Sequence, residues 1–270
     1  MLFIDPDDSK IVKAKNRFLD NLKPKVLENI EIKVQYRYCK GFFDQHIIPY
    51  IDDILIGNPE KLQKLSKEHN DFINESPLLK GLVRQVFNYD WFSSKETKPY
   101  GAYELASDLE INTCVYCNRN YTNTIIDDSG KKIIRPQFDH FLDKGTHPLF
   151  RLSFFNLIPC CSLCNTVLKG IKQFSMDTHL HPYLNKVITD FNFNYDYSVE
   201  EDELEVLIEP KKLPIRIKRS FDDFKIKDIY NAHRSEVKDL VNLKKAFSDN
   251  YLSILSSQVL GEVEISQKEM

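Results

Sequence analysis

Two runs decide the fold: Thr113-Cys114-Val115-Tyr116-Cys117-Asn118 and Cys160-Cys161-Ser162-Leu163-Cys164-Asn165, with Phe138-Asp139-His140-Phe141 between them. Each run holds a Cys-x-x-Cys pair, Cys114 with Cys117 and Cys161 with Cys164. A two-residue gap lets both sulfurs of a pair point at one ion, and four thiolates close a tetrahedron around Zn²⁺. Four soft ligands leave no open position, so that metal is structural. The pairs stand 43 residues apart, farther than in a zinc ribbon. A folded insert must therefore bring the second pair back, and that insert carries Asp139-His140. Cys161 is preferred to its neighbour Cys160 because it repeats the gap of the first pair. The competing reading is four free buried thiols. Cys39 stands alone and reads as a small packed hydrophobe.

Outward from the quartet, residues 111–186 hold five of the six cysteines and four of the seven histidines. Ile125-Ile126 running into Asp127-Asp128-Ser129-Gly130 reads as a strand and turn. Ile133 to Phe141 reads as the return strand, delivering Asp139 and His140 near its end. Phe154 to Pro159 reads as another strand, and Ser162 to Gly170 as a short helix with Gly170 at its C-terminal cap.

The flanks differ. Residues 1–110 carry helical periodicity: Ile11, Ala14, Phe18 and Leu22 share one face, and Val26, Ile30 and Val34 continue it. Asn58-Pro59 and Ser76-Pro77 are helix starts, a capping side chain followed by a proline whose missing N–H costs nothing there. His69 lies on an apolar stripe and reads as a core histidine, and His46 as structural. After residue 187, Phe191 to Tyr197 alternates with polar residues as a strand does, and Leu204, Val206 and Ile208 do the same. Ile215 and Ile217 suit a third strand. From Ser220 the pattern turns helical. Glu200 to Glu205 reads as an acidic, solvated hairpin tip. The end, EVEISQKEM, has no stop signal, which leaves a truncated chain open.

Composition sets bounds. Hydrophobic residues make up 42% of the 270, enough for a core. The net charge is −3, but residues 131–186 hold eight basic residues against three acids, a local balance of +5. A positive field around an Asp-His pair suits a polyanion. No apolar run is long enough to span a membrane. The start, MLFIDPDDSK, lacks the form of a signal peptide. The expected location is the cytoplasm, where paired cysteines point to metal rather than disulfides.

A phosphodiester hydrolase needs an activated water, charge neutralisation at phosphorus and help for the leaving oxygen. His140 is the candidate base. Neighbours on a strand face opposite ways, so Asp139 can hold a divalent ion while His140 faces the water. Asn165 can add an oxygen ligand, and hard oxygen donors favour Mg²⁺ or Mn²⁺. Asn156 can hydrogen-bond across the loop. Lys169, a helical turn after Asn165, and Arg151 are candidate phosphate contacts, with a surface salt bridge the alternative for Arg151. His147 reads as a turn residue, and the His179/His181 pair as a turn end or a weak metal pair.

Taken together, Asp139-His140, Asn156 in FFNLIP and Asn165 in CSLCNTVLKG resemble the HNH endonuclease family and its ββα-metal fold, over residues 111–172. The resemblance implies that His140 is the general base, Asp139 the metal-binding acid, Asn156 the residue that orders the loop and Asn165 the stand-in for a last histidine. A looser similarity through His181-Pro182-Tyr183 and Tyr230 to His233 resembles the nuclease subunit of Septu-type phage-defence systems and retron-linked nucleases, which act with an ATPase partner. The expected architecture is α+β: a helical region over 1–110 suited to partner docking, a zinc-stabilised ββα-metal core over 111–186, and a C-terminal β-hairpin with helices over 187–270. The expected activity is metal-dependent cleavage of DNA. The alternative is a zinc-stabilised nucleic-acid-binding module without catalysis.

Overall fold

Helix α1 (Ser9–Lys33) starts where Asp8 caps it, the carboxylate accepting the Lys10 N–H at 2.8 Å. Its buried residues, Ile11, Ala14, Phe18, Leu22, Val26 and Ile30, recur every three or four positions and form the stripe that faces the core. The computed structural model describes residues 3–96, 98–186, 190–198, 203–209, 212–247 and 249–254. Short helices α2 (Arg37–Phe42) and α3 (Ile51–Ile56) follow. Helices α4 (Pro59–Glu75) and α5 (Pro77–Val86) begin at the expected caps. Asn58 accepts the Lys61 N–H at 2.9 Å and Ser76 the Leu79 N–H at 3.3 Å. Two further helices, α6 (Tyr89–Ser93) and α7 (Ala102–Leu109), complete this region. His69 is buried against Phe42 and His46, as a core histidine should be.

Phe18 is the hub of the packing. Its ring meets Phe92, Tyr100 and Phe154 edge-on, at centroid distances of 6.0, 6.2 and 5.6 Å. Phe154 belongs to the cysteine-bearing region, so the helices and that region share one core. Burying a ring of this size contributes about 2–3 kcal/mol.

The central strands are shorter than the sequence pattern implies. Strand β1 (Ile125–Ile126) pairs with β2 (Lys132–Ile134) around a turn in which Asp127 accepts the Ser129 and Lys131 N–H groups. The expected return strand from Ile133 to Phe141 is broken at Arg135-Pro136. Pro136 has no N–H to give a ladder, and the chain passes there into a second sheet. In that sheet β3 (Gln137–His140) runs antiparallel to β4 (Leu157–Cys160), with Asp139 opposite Ile158 and His140 opposite Leu157. The strand expected from Phe154 starts three residues late, because Phe154–Asn156 is a 3₁₀ turn. The helix after it, Leu163–Lys169, is widened: the Gly170 N–H reaches back five residues to the Asn165 carbonyl at 3.0 Å. Gly170 then leaves the helix at φ +51°, a conformation glycine adopts without a Cβ penalty.

Strands β5 (Asn192–Ser198) and β6 (Glu203–Glu209) form the expected antiparallel hairpin, with Leu204 and Val206 buried. Residues 200–202 of the acidic tip lie outside the described residues, as does the terminal EVEISQKEM. The strand expected at Ile215 and Ile217 is instead helix α8 (Ile215–Asp223), with Ile217, Ser220 and Phe221 inward. Two alternating isoleucines are too short a signal to separate a strand from the first turn of a helix. Helices α9 (Ile226–Ala232), α10 (Arg234–Ala246) and α11 (Asp249–Ile254) follow. Chain contacts divide the protein into two units, residues 1–191 with 212–226, and residues 192–211 with 227–270. In the second unit the Asn231 side chain bonds both the N–H and the carbonyl of Val206, tying α9 to β6. Among the described residues no helix is long and apolar enough to cross a membrane.

Candidate metal centre and adjoining cavity

The first cysteine pair sits on a tight turn. Asn118 takes φ +52° and returns its N–H to the Cys114 carbonyl at 2.8 Å, which swings both sulfurs to one side. Asparagine tolerates that left-handed conformation better than most residues. The second pair lies just beyond β4, where the Cys164 N–H points at the Cys161 sulfur at 3.4 Å. All four Sγ atoms are buried and lie within 4.8 Å of one another. A tetrahedral zinc with bonds of about 2.3 Å requires sulfurs about 3.8 Å apart, so the quartet fits that ion. The Asn120 amide donates to the Cys161 sulfur at 3.3 Å, a bond that favours the thiolate. Hydrogen bonds within the quartet, led by that between Cys114 and Cys117, pull Cys117 down to about 6 and lift Cys114; Cys161 falls and Cys164 rises, each chiefly through Cys114. Cys160 is not part of the group. Burial pushes its thiol up, with the Asp139 charge adding to the rise.

Along β3 lies a cavity of about 320 Å³, lined by Asp139, His140, Asp143, Asn165, Lys169 and Tyr89 among others. Asp139 and His140 occupy successive strand positions and meet different neighbours. The Asp139 carboxylate accepts from Tyr116 Oη at 2.6 Å on one oxygen and from Lys169 Nζ at 2.7 Å on the other. Lys169 is buried and also donates to the His140 carbonyl at 2.5 Å. The expected phosphate contact thus belongs to a buried ion pair with Asp139. The His140 ring rests edge-on to Tyr89 at 4.4 Å, and its Nε2 donates to the Arg151 carbonyl at 3.1 Å. That bond leaves Nδ1 as the basic nitrogen. Burial pushes the His140 pKa down to about 3, against the pull of the Arg151 carbonyl, and the charges of Lys144, Lys169 and Arg151 deepen the fall. The imidazole is therefore neutral near pH 7, the state a proton acceptor requires.

Asn165 donates its amide to Gln137 Oε1 at 2.8 Å, and its carboxamide oxygen is the atom left to accept. Each carboxylate oxygen has a second lone pair, so Asp139 keeps accepting capacity beside its bonds to Tyr116 and Lys169. Among the described residues, the cysteine quartet is the only group of three or more His, Cys, Asp or Glu side chains close enough to share an ion.

Two predicted residues stand back from the cavity. Asn156 is buried behind it, where its Oδ1 accepts the Leu142 N–H at 2.7 Å and its Nδ2 donates to the carbonyls of Leu142 and Phe150. It pins both ends of the loop that joins β3 to β4. Arg151 does not line the cavity; its guanidinium bonds Asp90 at 3.2 Å. Histidines 147 and 179 have local tasks. His147 closes the Asp143 turn, and His179 stacks on Phe174 and bonds Asp223.

Three contributors escape sequence reasoning. Tyr89 comes from the helical region, Tyr116 from inside the first cysteine pair and Gln137 from the start of β3. Tyr116 is fully buried, with its ring stacked on Phe224 at 4.1 Å. It carries a direct connection from the metal-binding turn to Asp139. Its place between the cysteines was the one available signal, since a large polar aromatic there must find a buried partner. The scan of protein-family models, the search of curated proteins and the search of solved structures each found no match to this chain.

Proposed function

We propose that this protein is a metal-dependent endonuclease of the HNH type that hydrolyses phosphodiester bonds of DNA. The observation that carries the reading is His140: its imidazole is fixed through Nε2 and lines one cavity with Asp139, Asn165 and Lys169. His140 Nδ1 takes a proton from water, the resulting hydroxide oxygen bonds to phosphorus, and the bond from phosphorus to the 3′ oxygen breaks, that oxygen taking a proton from solvent as it leaves. The products are a 5′ phosphate and a 3′ hydroxyl. Asp139 and Asn165 are the residues that would hold a divalent ion, which would supply charge neutralisation at the phosphoryl group. With zinc bound, the quartet would hold β4, and Tyr116 links the metal-binding turn to Asp139. Asn156 keeps the intervening loop closed. The sequence resemblance supports a role as the nuclease effector of an antiphage system with an ATPase partner, which co-purification from the native host would test.

One observation favours the second reading, a zinc-stabilised DNA-binding module. Both Asp139 oxygens already accept strong hydrogen bonds, as they would in a purely structural ion pair. Incubating the purified chain with supercoiled plasmid and with single-stranded DNA across Mg²⁺, Mn²⁺ and Ca²⁺ separates the two. The nuclease reading expects nicking in Mg²⁺ or Mn²⁺. Binding without cleavage in every metal, with and without the partner, would favour the module.

A further inference from the structure

A second hollow adjoins the catalytic cavity. It measures about 640 Å³ and is bounded by Asn120, Tyr121, Asn123, Ile134, Ser162 and Leu163, with Cys160 and Cys161 behind. Arg135 and Gln137 line both hollows, so the two share a wall at the start of β3. Its size falls within the range of about 300–1,000 Å³ common for small-molecule sites, enough for a base with its sugar.

Tyr121 gives the hollow its chemistry. The residue is 84% exposed, and among the described residues no ring stacks on it. Its backbone is nevertheless held firmly. Tyr121 bridges to Thr113, the Asn120 carbonyl accepts the Cys114 N–H at 2.9 Å, and the Asn120 amide bonds the Cys161 sulfur. The metal-binding turn thus presents a large aromatic face to solvent on a rigid support. Core packing does not account for a tyrosine placed this way. Ile125, Ile134 and Leu163 add exposed apolar surface around the hollow. Bases in a duplex have their faces covered by neighbours, whereas an unpaired strand offers faces that stack on such platforms.

We propose that this hollow receives an unstacked base of the strand to be cut, stacked on Tyr121, so that the protein prefers single-stranded or locally opened DNA. The inference rests on the nuclease reading for its place beside the scissile phosphate, but base binding is measurable without cleavage. The test is fluorescence anisotropy with full-length protein in the non-cutting His140→Ala background. Three probes are compared: a labelled oligothymidylate of about twelve nucleotides, the same strand with abasic sugars at its centre, and the matched duplex.

The expected result is tightest binding to the oligothymidylate and an about tenfold loss on Tyr121→Ala for that probe. The abasic strand should show no such loss, and Tyr121→Trp should bind as the parent does. Equal loss on both strands, no loss on either, tighter binding to the duplex, or no binding to any probe would overturn the proposal. Zinc content and melting temperature of Tyr121→Ala should match the parent, because the ring is in solvent. Wild-type cleavage of the same oligonucleotide in Mg²⁺ is read alongside. Absent cleavage with the base-dependent binding intact sinks the nuclease reading alone. Cleavage indifferent to Tyr121, together with unchanged binding, sinks the base site alone.

Discussion

The cysteine quartet and the Asp139–His140 cavity flank the same pair of short strands but are built on opposite rules. The quartet uses four identical soft donors, closed on one another and buried, with one task. The cavity is open and mixed: an acid, an imidazole, a carboxamide and an ammonium, each oriented by a partner from another segment. A site that only holds the fold can be self-contained. The cavity, the proposed substrate site, depends on other elements to fix its geometry. Here Tyr89, Tyr116, Gln137 and the Arg151 carbonyl do that fixing, and Tyr116 joins the two sites.

The comparison breaks most severely at the quartet. Cys164→Ala removes one zinc ligand, and metal binding in such a site is folding free energy. The expected outcome is loss of zinc and a fall in Tm of about 10 °C or more, read by metal analysis and calorimetry. An unchanged Tm would show that the thiols carry no ion that the fold needs.

The next effect belongs to the buried ion pair. Lys169→Met strands the Asp139 carboxylate in the interior and should cost roughly 3–5 kcal/mol in urea unfolding. Adding Asp139→Leu should recover much of that loss, because the uncompensated charge goes with it. Zinc content should stay constant in both variants. No recovery in the double variant would mean that Lys169 acts through contacts other than Asp139.

A smaller loss is expected from Asn156→Ala. It deletes three buried hydrogen bonds across the β3–β4 loop and should cost roughly 2–4 kcal/mol, while zinc stays bound. Tyr116→Phe is smaller again. It removes one hydrogen bond to a charged acceptor, worth about 1.5–3 kcal/mol, and should lower DNA cleavage more than it lowers Tm. Equal activity in Tyr116→Phe would disconnect the two sites.

The same contrast explains what the sequence disclosed. The quartet was legible because its ligands are one residue type at one spacing, and even the choice of Cys161 over Cys160 followed from the gap. The helix starts at Asn58 and Ser76 were legible because capping is local chemistry. Asp139, His140, Asn165 and Lys169 were each nameable, and they do line one cavity. Their partners were not nameable, since Tyr89 reaches His140 from 51 positions upstream, a distance no spacing rule covers. Lys169, at the end of the widened turn before Gly170, is buried against Asp139, a pairing that helical spacing alone does not show. Arg151 forms the salt bridge that stood as its alternative, but the partner, Asp90 in the helical region, is not nameable from spacing. The break at Pro136 and the helix at Ile215 show the limit for short segments, where two or three apolar residues fit either period.

The central claim is that His140 supplies a base on a scaffold that zinc holds independently of it. Cleavage of supercoiled plasmid in Mg²⁺ by purified His140→Ala, beside wild type, with zinc content and Tm measured on the same samples, tests that claim most directly. The account predicts full zinc, a Tm within a few degrees of wild type and no nicking above background. Nicking at the wild-type rate would contradict it.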